Sequence, residues 1–237
     1  MSSRVPGASI AKEPSERRAG STTGYDPAPR VRDPAASSVR RAPAAGLAGR
    51  EERAGQGRAI GVLVSGEGTN LQALIDAELP IAAVASNNAG VRALERAERA
   101  GITTAVFELE DHMDREARDN AMADWLTEHG VDLVVCAGYM QLLRRSFLER
   151  FPGRVINTHS APLPQFPGPH PIDDVLAAGV PETAATIHYV DGGVDTGPVI
   201  AAEPVPVLPG DDEKSLRARV QAVEHRLLPR VVRGLIA

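Results

Sequence analysis

The chain has 237 residues, 43% of them apolar and only 3% aromatic, enough for a sizeable core built mainly from Val, Leu, Ile and Ala. A net charge of −5 weighs against nucleic-acid binding, and the single cysteine, Cys136, excludes an internal disulfide and Cys-based zinc sites. No apolar run approaches the roughly 20 residues of a bilayer span, and no charged-then-apolar signal region opens the chain, so a cytoplasmic protein is expected.

Residues 1–57 are rich in Ala, Pro, Arg, Gly and Ser and show no apolar periodicity. Through Arg58 they carry eleven Lys/Arg against six Asp/Glu, a basic segment ahead of an acidic remainder. Such a segment buries too little apolar surface to offset its ordering entropy, and a disordered tail is predicted over residues 1–57, with one domain over residues 58–237. A targeting peptide or a polyanion-binding arm is the functional alternative; Glu13, Glu16 and Asp26 count against the first.

From Ala59 the pattern alternates. Ala59 to Val64 is a short continuous apolar run, as expected of a strand buried on both faces, and Asn70 to Glu78 follows as a helix. A strand over Ile81 to Ala85 and a helix over Val91 to Ala100 come next, the latter stopped at Gly101. A short strand is predicted over Ala105 to Glu108 and a helix over Arg115 to His129. Val131 to Ala137 is the clearest strand, followed by a helix over Gln141 to Phe151 that ends before Pro152, then a strand over Arg154 to His159. Ala161 to Pro171 holds five prolines and is read as a stiff loop. A short helix (Ile172 to Ala178), two strands (Thr186 to Val190, Pro198 to Val207) and a last helix (Glu213 to Leu235) complete the chain. The fold class expected is α/β: a Rossmann-like, mostly parallel sheet flanked by helices, with an antiparallel C-terminal portion where the last two strands form a hairpin.

Three stretches could carry chemistry. Ser65-Gly66-Glu67-Gly68-Thr69-Asn70 joins the first strand to the first helix, where a tight glycine turn and a helix N-terminus suit an anion such as a phosphate. It lacks the Lys of a Walker A loop and the third Gly of the dinucleotide fingerprint, and a purely structural turn is the alternative. Asn157-Thr158-His159 ends a strand, so Asn157 and His159 share a face; an amide donor beside an imidazole can stabilise an oxyanion and deliver a proton, or the two can simply satisfy loop backbone. Asp191 to Pro198 is a Gly/Asp-rich turn, either solvated or functional. Asp195 close to His159 would favour the charged imidazole, and nothing in the spacing points to a metal. His188, on an apolar-alternating strand, is read as structural.

Taken in order, Val64 to Leu74, Ser86-Asn87, Ala137 to Met140, Asn157-Thr158-His159, Asp195 to Pro198, Arg219 to Gln221 and Glu224-His225 resemble the phosphoribosylglycinamide formyltransferases, or glycinamide ribonucleotide transformylases, of purine synthesis. The resemblance spans about Ala59 to Leu228. It implies formyl transfer from 10-formyltetrahydrofolate to the amine of glycinamide ribonucleotide by a monomer or homodimer, with no metal. It also implies roles: Asn157, His159 and Asp195 catalytic; Gly68, Thr69, Asn70, Gln221 and Glu224 on the phosphorylated acceptor. Arg115, Met140, Gln141, Leu142, Leu143, Asn157, Asp191, Val194 and Asp195 would lie along the folate. Other formyltransferases, acting on a different amine, and a non-catalytic folate- or nucleotide-binding module are the competing readings. One departure stands out: after Asn-x-His the family continues Pro, a small residue, Leu, Leu, Pro, whereas this chain has Ser160-Ala161-Pro162-Leu163-Pro164. Tyr139, where Phe is commoner, adds a hydroxyl.

Overall fold

The computed structural model describes residues 58–237; the expectation of a disordered segment over residues 1–57 lies outside them. Seven strands form one sheet in the order β3-β2-β1-β4-β5-β6-β7. In chain order the strands are β1 (Ala59–Val64), β2 (Ile81–Ser86), β3 (Thr103–Val106), β4 (Val131–Cys136), β5 (Val155–His159), β6 (Glu182–Tyr189) and β7 (Val199–Pro206). The helices are α1 (Thr69–Asp76), α2 (Arg92–Arg99), α3 (Arg115–Glu128), α4 (Arg145–Arg150), α5 (Pro171–Ala178) and α6 (Glu213–Ile236). β1 to β5 pair in parallel, while β5–β6 and β6–β7 are antiparallel. The expected mixed sheet with an antiparallel C-terminal portion is what forms.

Strand alternation splits the core into two layers. Ile60, Val62 and Val64 of β1 face α1, α2, α5 and α6, packing with Leu71, Leu74, Ile172, Val220 and Leu227. Leu63 of β1, with Val134 and Cys136 of β4, faces α3 and α4 and packs with Met122, Leu126 and Phe147. Aliphatic side chains dominate both layers. Burying one such side chain stabilises by roughly 1.5–3 kcal/mol, which is why two thin layers suffice.

The chain runs from β1 outward to β3, then returns to place β4 on the other side of β1. At that reversal the loops after β1 and β4 diverge and leave a crevice at the carboxyl ends of the strands. Several expected boundaries move: β3 forms over Thr103–Val106, two residues before the expected Ala105 to Glu108. The helix expected from Gln141 begins only at Arg145, because residues 140–144 are drawn along the crevice: the Met140 N–H donates to Ser65 Oγ at 2.9 Å and the Arg144 N–H to Asp119 Oδ2 at 2.7 Å. β6 starts at Glu182, four residues before the expected strand, because pairing with β7 from Pro206 onward holds the alanines there extended.

Candidate active site

The crevice is a cleft of about 520 Å³. Its lining includes Gly68, Thr69, Asn70, Met140, Gln141, Leu142, Leu143, Asn157, His159, Asp191, Val194, Asp195, Gln221 and Glu224, so nearly every residue singled out above meets there. Arg115 does not: it opens α3 as an exposed side chain and lies outside the lining.

One half is built by α1 and α6. Gly68 caps α1 with φ 70°, and a Cβ there would come within 2.6 Å of Ala93 Cβ and 2.7 Å of its Cα, so both the left-handed backbone and the close approach of α2 require glycine. The Ala93 N–H donates to the Gly66 carbonyl at 3.0 Å, fixing the loop against α2. Asn70 Nδ2 donates to Glu224 Oε2 at 2.9 Å across the α1–α6 contact, and Ser160 Oγ donates to Glu224 Oε1 at 2.7 Å. Asn70 Oδ1 is buried without a partner, an acceptor turned to no donor of the described residues. Among the described residues, Arg217, one helical turn before Gln221, is the only Lys or Arg in the lining.

The other half belongs to β5 and the β6–β7 turn. Asn157 and His159 sit on the face of β5 that Val155 shares with α3 and α4. His188 stands directly opposite Asn157 in the antiparallel pair, which brings Asn157 Nδ2 within 3.2 Å of His188 Nε2. Asp195 completes the group. Its Oδ2 lies 3.5 Å from His159 Nδ1 and accepts the Gly168 N–H at 2.9 Å; its Oδ1 lies 3.4 Å from His188 Nε2. His159 Nε2 is 2.6 Å from the Phe166 carbonyl, so both nitrogens of that ring face acceptors.

Asp195 adopts φ 53°, a left-handed conformation that Asp tolerates better than most residues. The turn around it is tight: a Cβ on Gly197 would fall 1.9 Å from the Tyr189 carbonyl oxygen. Burial pushes the Asp195 carboxyl up. Hydrogen bonds from His188 and the Gly168 N–H, with the nearby His159 and His188 charges, outweigh it and hold the carboxyl below its ordinary range. Asp191 is also lowered, chiefly by the Thr196 hydroxyl at 2.6 Å and then by the Gly193 N–H. Exposed Met140, Leu142 and Val194 offer an apolar surface beside the group.

His188, read as structural, lies in contact with the polar cluster, against Asn157 and Asp195. Its apolar neighbours on β6 hid it, and only the register with Asn157 reveals it; a histidine in a strand next to a functional strand was the one available signal. The contact of Ser160 was likewise invisible, because its partner Glu224 lies 64 positions away on α6, while Arg217, paired with Glu213 one turn earlier on α6, reads locally as a surface ion pair. Among the described residues, no group of three His, Cys, Asp or Glu side chains could hold a metal ion.

An anion-suited loop, an amide–imidazole–carboxylate cluster and an apolar shelf along one cleft define a group-transfer site able to stabilise an oxyanion and relay a proton. A family model described as formyl transferase matches residues 58–232. The chain is 47% identical over 178 residues to the phosphoribosylglycinamide formyltransferase of Mycobacterium tuberculosis (strain CDC 1551 / Oshkosh), covering 73% of this chain and 83% of that one. Its fold is similar to the crystal structure of glycinamide ribonucleotide transformylase 1 from Symbiobacterium toebii (TM-score 0.74, 44% identity, 76% of this chain and 87% of that one). It is similar also to the phosphoribosylglycinamide formyltransferase from Streptococcus pneumoniae TIGR4 (TM-score 0.74, 39% identity, 76% and 99%). The chain belongs to the formyl transferase family.

Proposed function

We propose that this chain transfers the formyl group of 10-formyltetrahydrofolate to the primary amine of glycinamide ribonucleotide in purine synthesis. The convergence of Asn157, His159 and Asp195 beside a helix N-terminus suited to phosphate is the observation that carries the reading. In it, the acceptor phosphate lies at Gly68, Thr69 and Asn70, with Gln221 and Glu224 on the same molecule. The folate lies along Met140 to Leu143 and the turn from Asp191 to Asp195. Residues 58–237 act as one domain, and since a single chain supplies the cleft, a monomer and a homodimer serve equally. A cytoplasmic location accords with these small-molecule substrates, and no described helix is long and apolar enough to cross a membrane.

The acceptor nitrogen attacks the formyl carbon, forming a C–N bond while the carbonyl π pair moves onto oxygen. Asn157 donates to that oxyanion, joined by His159 as its ring turns away from the Phe166 carbonyl; such donors contribute on the order of 3 kcal/mol each, so the reading calls on no metal. The tetrahedral carbon then releases the folate nitrogen, the C–N bond to folate breaking as that nitrogen takes up a proton. The attacking nitrogen loses one proton, so the reaction is balanced by a relay between the two nitrogens, with Asp195 accepting and His159 donating. His188, against both Asn157 and Asp195, holds the amide and carboxylate in register.

The test is an assay of the purified chain with 10-formyltetrahydrofolate and a panel of amines: glycinamide ribonucleotide, its dephosphorylated form and an amino sugar. Formylation of the ribonucleotide with strong preference over the dephosphorylated amine is expected. Preference for another amine overturns the acceptor assignment, and binding of both substrates without transfer overturns catalysis.

A further inference from the structure

Ser160 stands directly after Asn157-Thr158-His159, where the resemblance leads to the expectation of a proline. It follows the end of β5 at His159, and its neighbour Ala161 packs in the core layer shared with α6. There its hydroxyl donates to Glu224 Oε1 at 2.7 Å. Glu224 is only 3% exposed, and no Lys, Arg or His of the described residues forms an ion pair with it. A buried carboxylate needs hydrogen-bond donors, and this one has two from side chains: Ser160 on Oε1 and Asn70 on Oε2. Each oxygen accepts up to two hydrogen bonds, so each keeps one acceptor position in a residue that lines the cleft. Beside them lies the unpartnered Asn70 Oδ1.

We infer that Ser160 is a positioning residue for the acceptor: by holding Glu224 from one side while Asn70 holds it from the other, it aims the carboxylate at hydroxyl or N–H donors of the phosphorylated substrate. A proline at this position has no hydroxyl to do this. With Oε1 released, the carboxylate can rotate about its last torsion, which is broad, and the row of acceptors loses its common direction. The inference rests on the reading of the α1–α6 half of the cleft as the acceptor site.

Full-length chains carrying Ser160→Ala, Ser160→Thr or Ser160→Pro test it. Steady-state kinetics give KM for each substrate and kcat, and calorimetry gives Kd for glycinamide ribonucleotide alone. A hydrogen bond to a charged group suggests that Ser160→Ala raises acceptor KM and Kd by about tenfold. Folate KM should move less than about twofold, with Ser160→Thr restoring acceptor binding and Ser160→Pro resembling Ser160→Ala. In a Glu224→Gln background, Ser160→Ala should add little, since the charged partner is gone. An unchanged acceptor Kd in Ser160→Ala, a loss shared equally by folate, or full additivity with Glu224→Gln overturns the inference. A wild-type chain that binds the acceptor but transfers nothing overturns the proposed reaction alone, and the Kd ratio still decides Ser160. A wild-type chain that does not bind the acceptor overturns both.

Discussion

The half of the cleft beside α1 and α6 and the half beside the β6–β7 turn bury polar groups in different ways. Against α6, one carboxylate, Glu224, is held by neutral donors from Asn70 and Ser160, and acceptor positions remain. Against the turn, two imidazoles, an amide and a carboxylate contact one another, with the Gly168 N–H and the Phe166 carbonyl closing the cluster. The first arrangement suits recognition, because its unfilled acceptors await a ligand. The second suits proton transfer, because its two imidazoles each lie within 3.5 Å of the Asp195 carboxylate. The same carboxylate chemistry serves two purposes according to what surrounds it.

Substitutions in the two halves should therefore separate turnover from binding. The largest effect is expected from Asp195→Asn. Asn accepts the left-handed φ that Asp195 occupies, so the fold should persist while kcat falls by about 10²–10⁴-fold; a rate within threefold of wild type in a stopped assay would remove Asp195 from the relay. Asn70→Ala should act on the other half, raising acceptor KM by about 10–100-fold through the bond it makes to a charged group. Equal loss of folate affinity would break the division between the halves. A smaller change is expected from Arg217→Gln. Its side chain is 47% exposed and already paired with Glu213, so its attraction for a phosphate is screened: acceptor KM should rise only about threefold, with less dependence on salt. A KM that responds to salt as steeply in the variant as in wild type would show that Arg217 does not face the phosphate.

The smallest effect is on stability. Because folding lowers the Asp195 carboxyl below its ordinary value near 3.8, its ionised form adds stability at pH values above that, and the contribution is lost as pH falls through the lower, native value. The difference between thermal melts of wild type and Asp195→Asn should shrink as pH falls below about 4. A gap that widened over that acidic range would contradict the lowered carboxyl of Asp195.

Much of the architecture is legible residue by residue. Ala59 to Val64 reads as a buried strand because no solvent-facing alternation interrupts it, and it forms the centre of the sheet beside the strand read over Val131 to Ala137. Residues 140–144 failed to read correctly because their pattern is helical while their backbone is claimed by Ser65 and Asp119, partners 75 and 25 positions away. Arg115 was carried to the folate site by resemblance alone, and here it lies outside the cleft lining.

Sequence by itself determined the strand–helix alternation, the glycine turn at Gly68 and the chemical identities of Asn157, His159 and Asp195, because these rest on local periodicity, backbone freedom and side-chain type. Only the tertiary structure decided that His188 joins Asn157 and Asp195, that Ser160 reaches Glu224, and that Asn70 leaves an acceptor unfilled. Strand register and the packing of α6 against α1 set those meetings, and neither is written in any short stretch of chain.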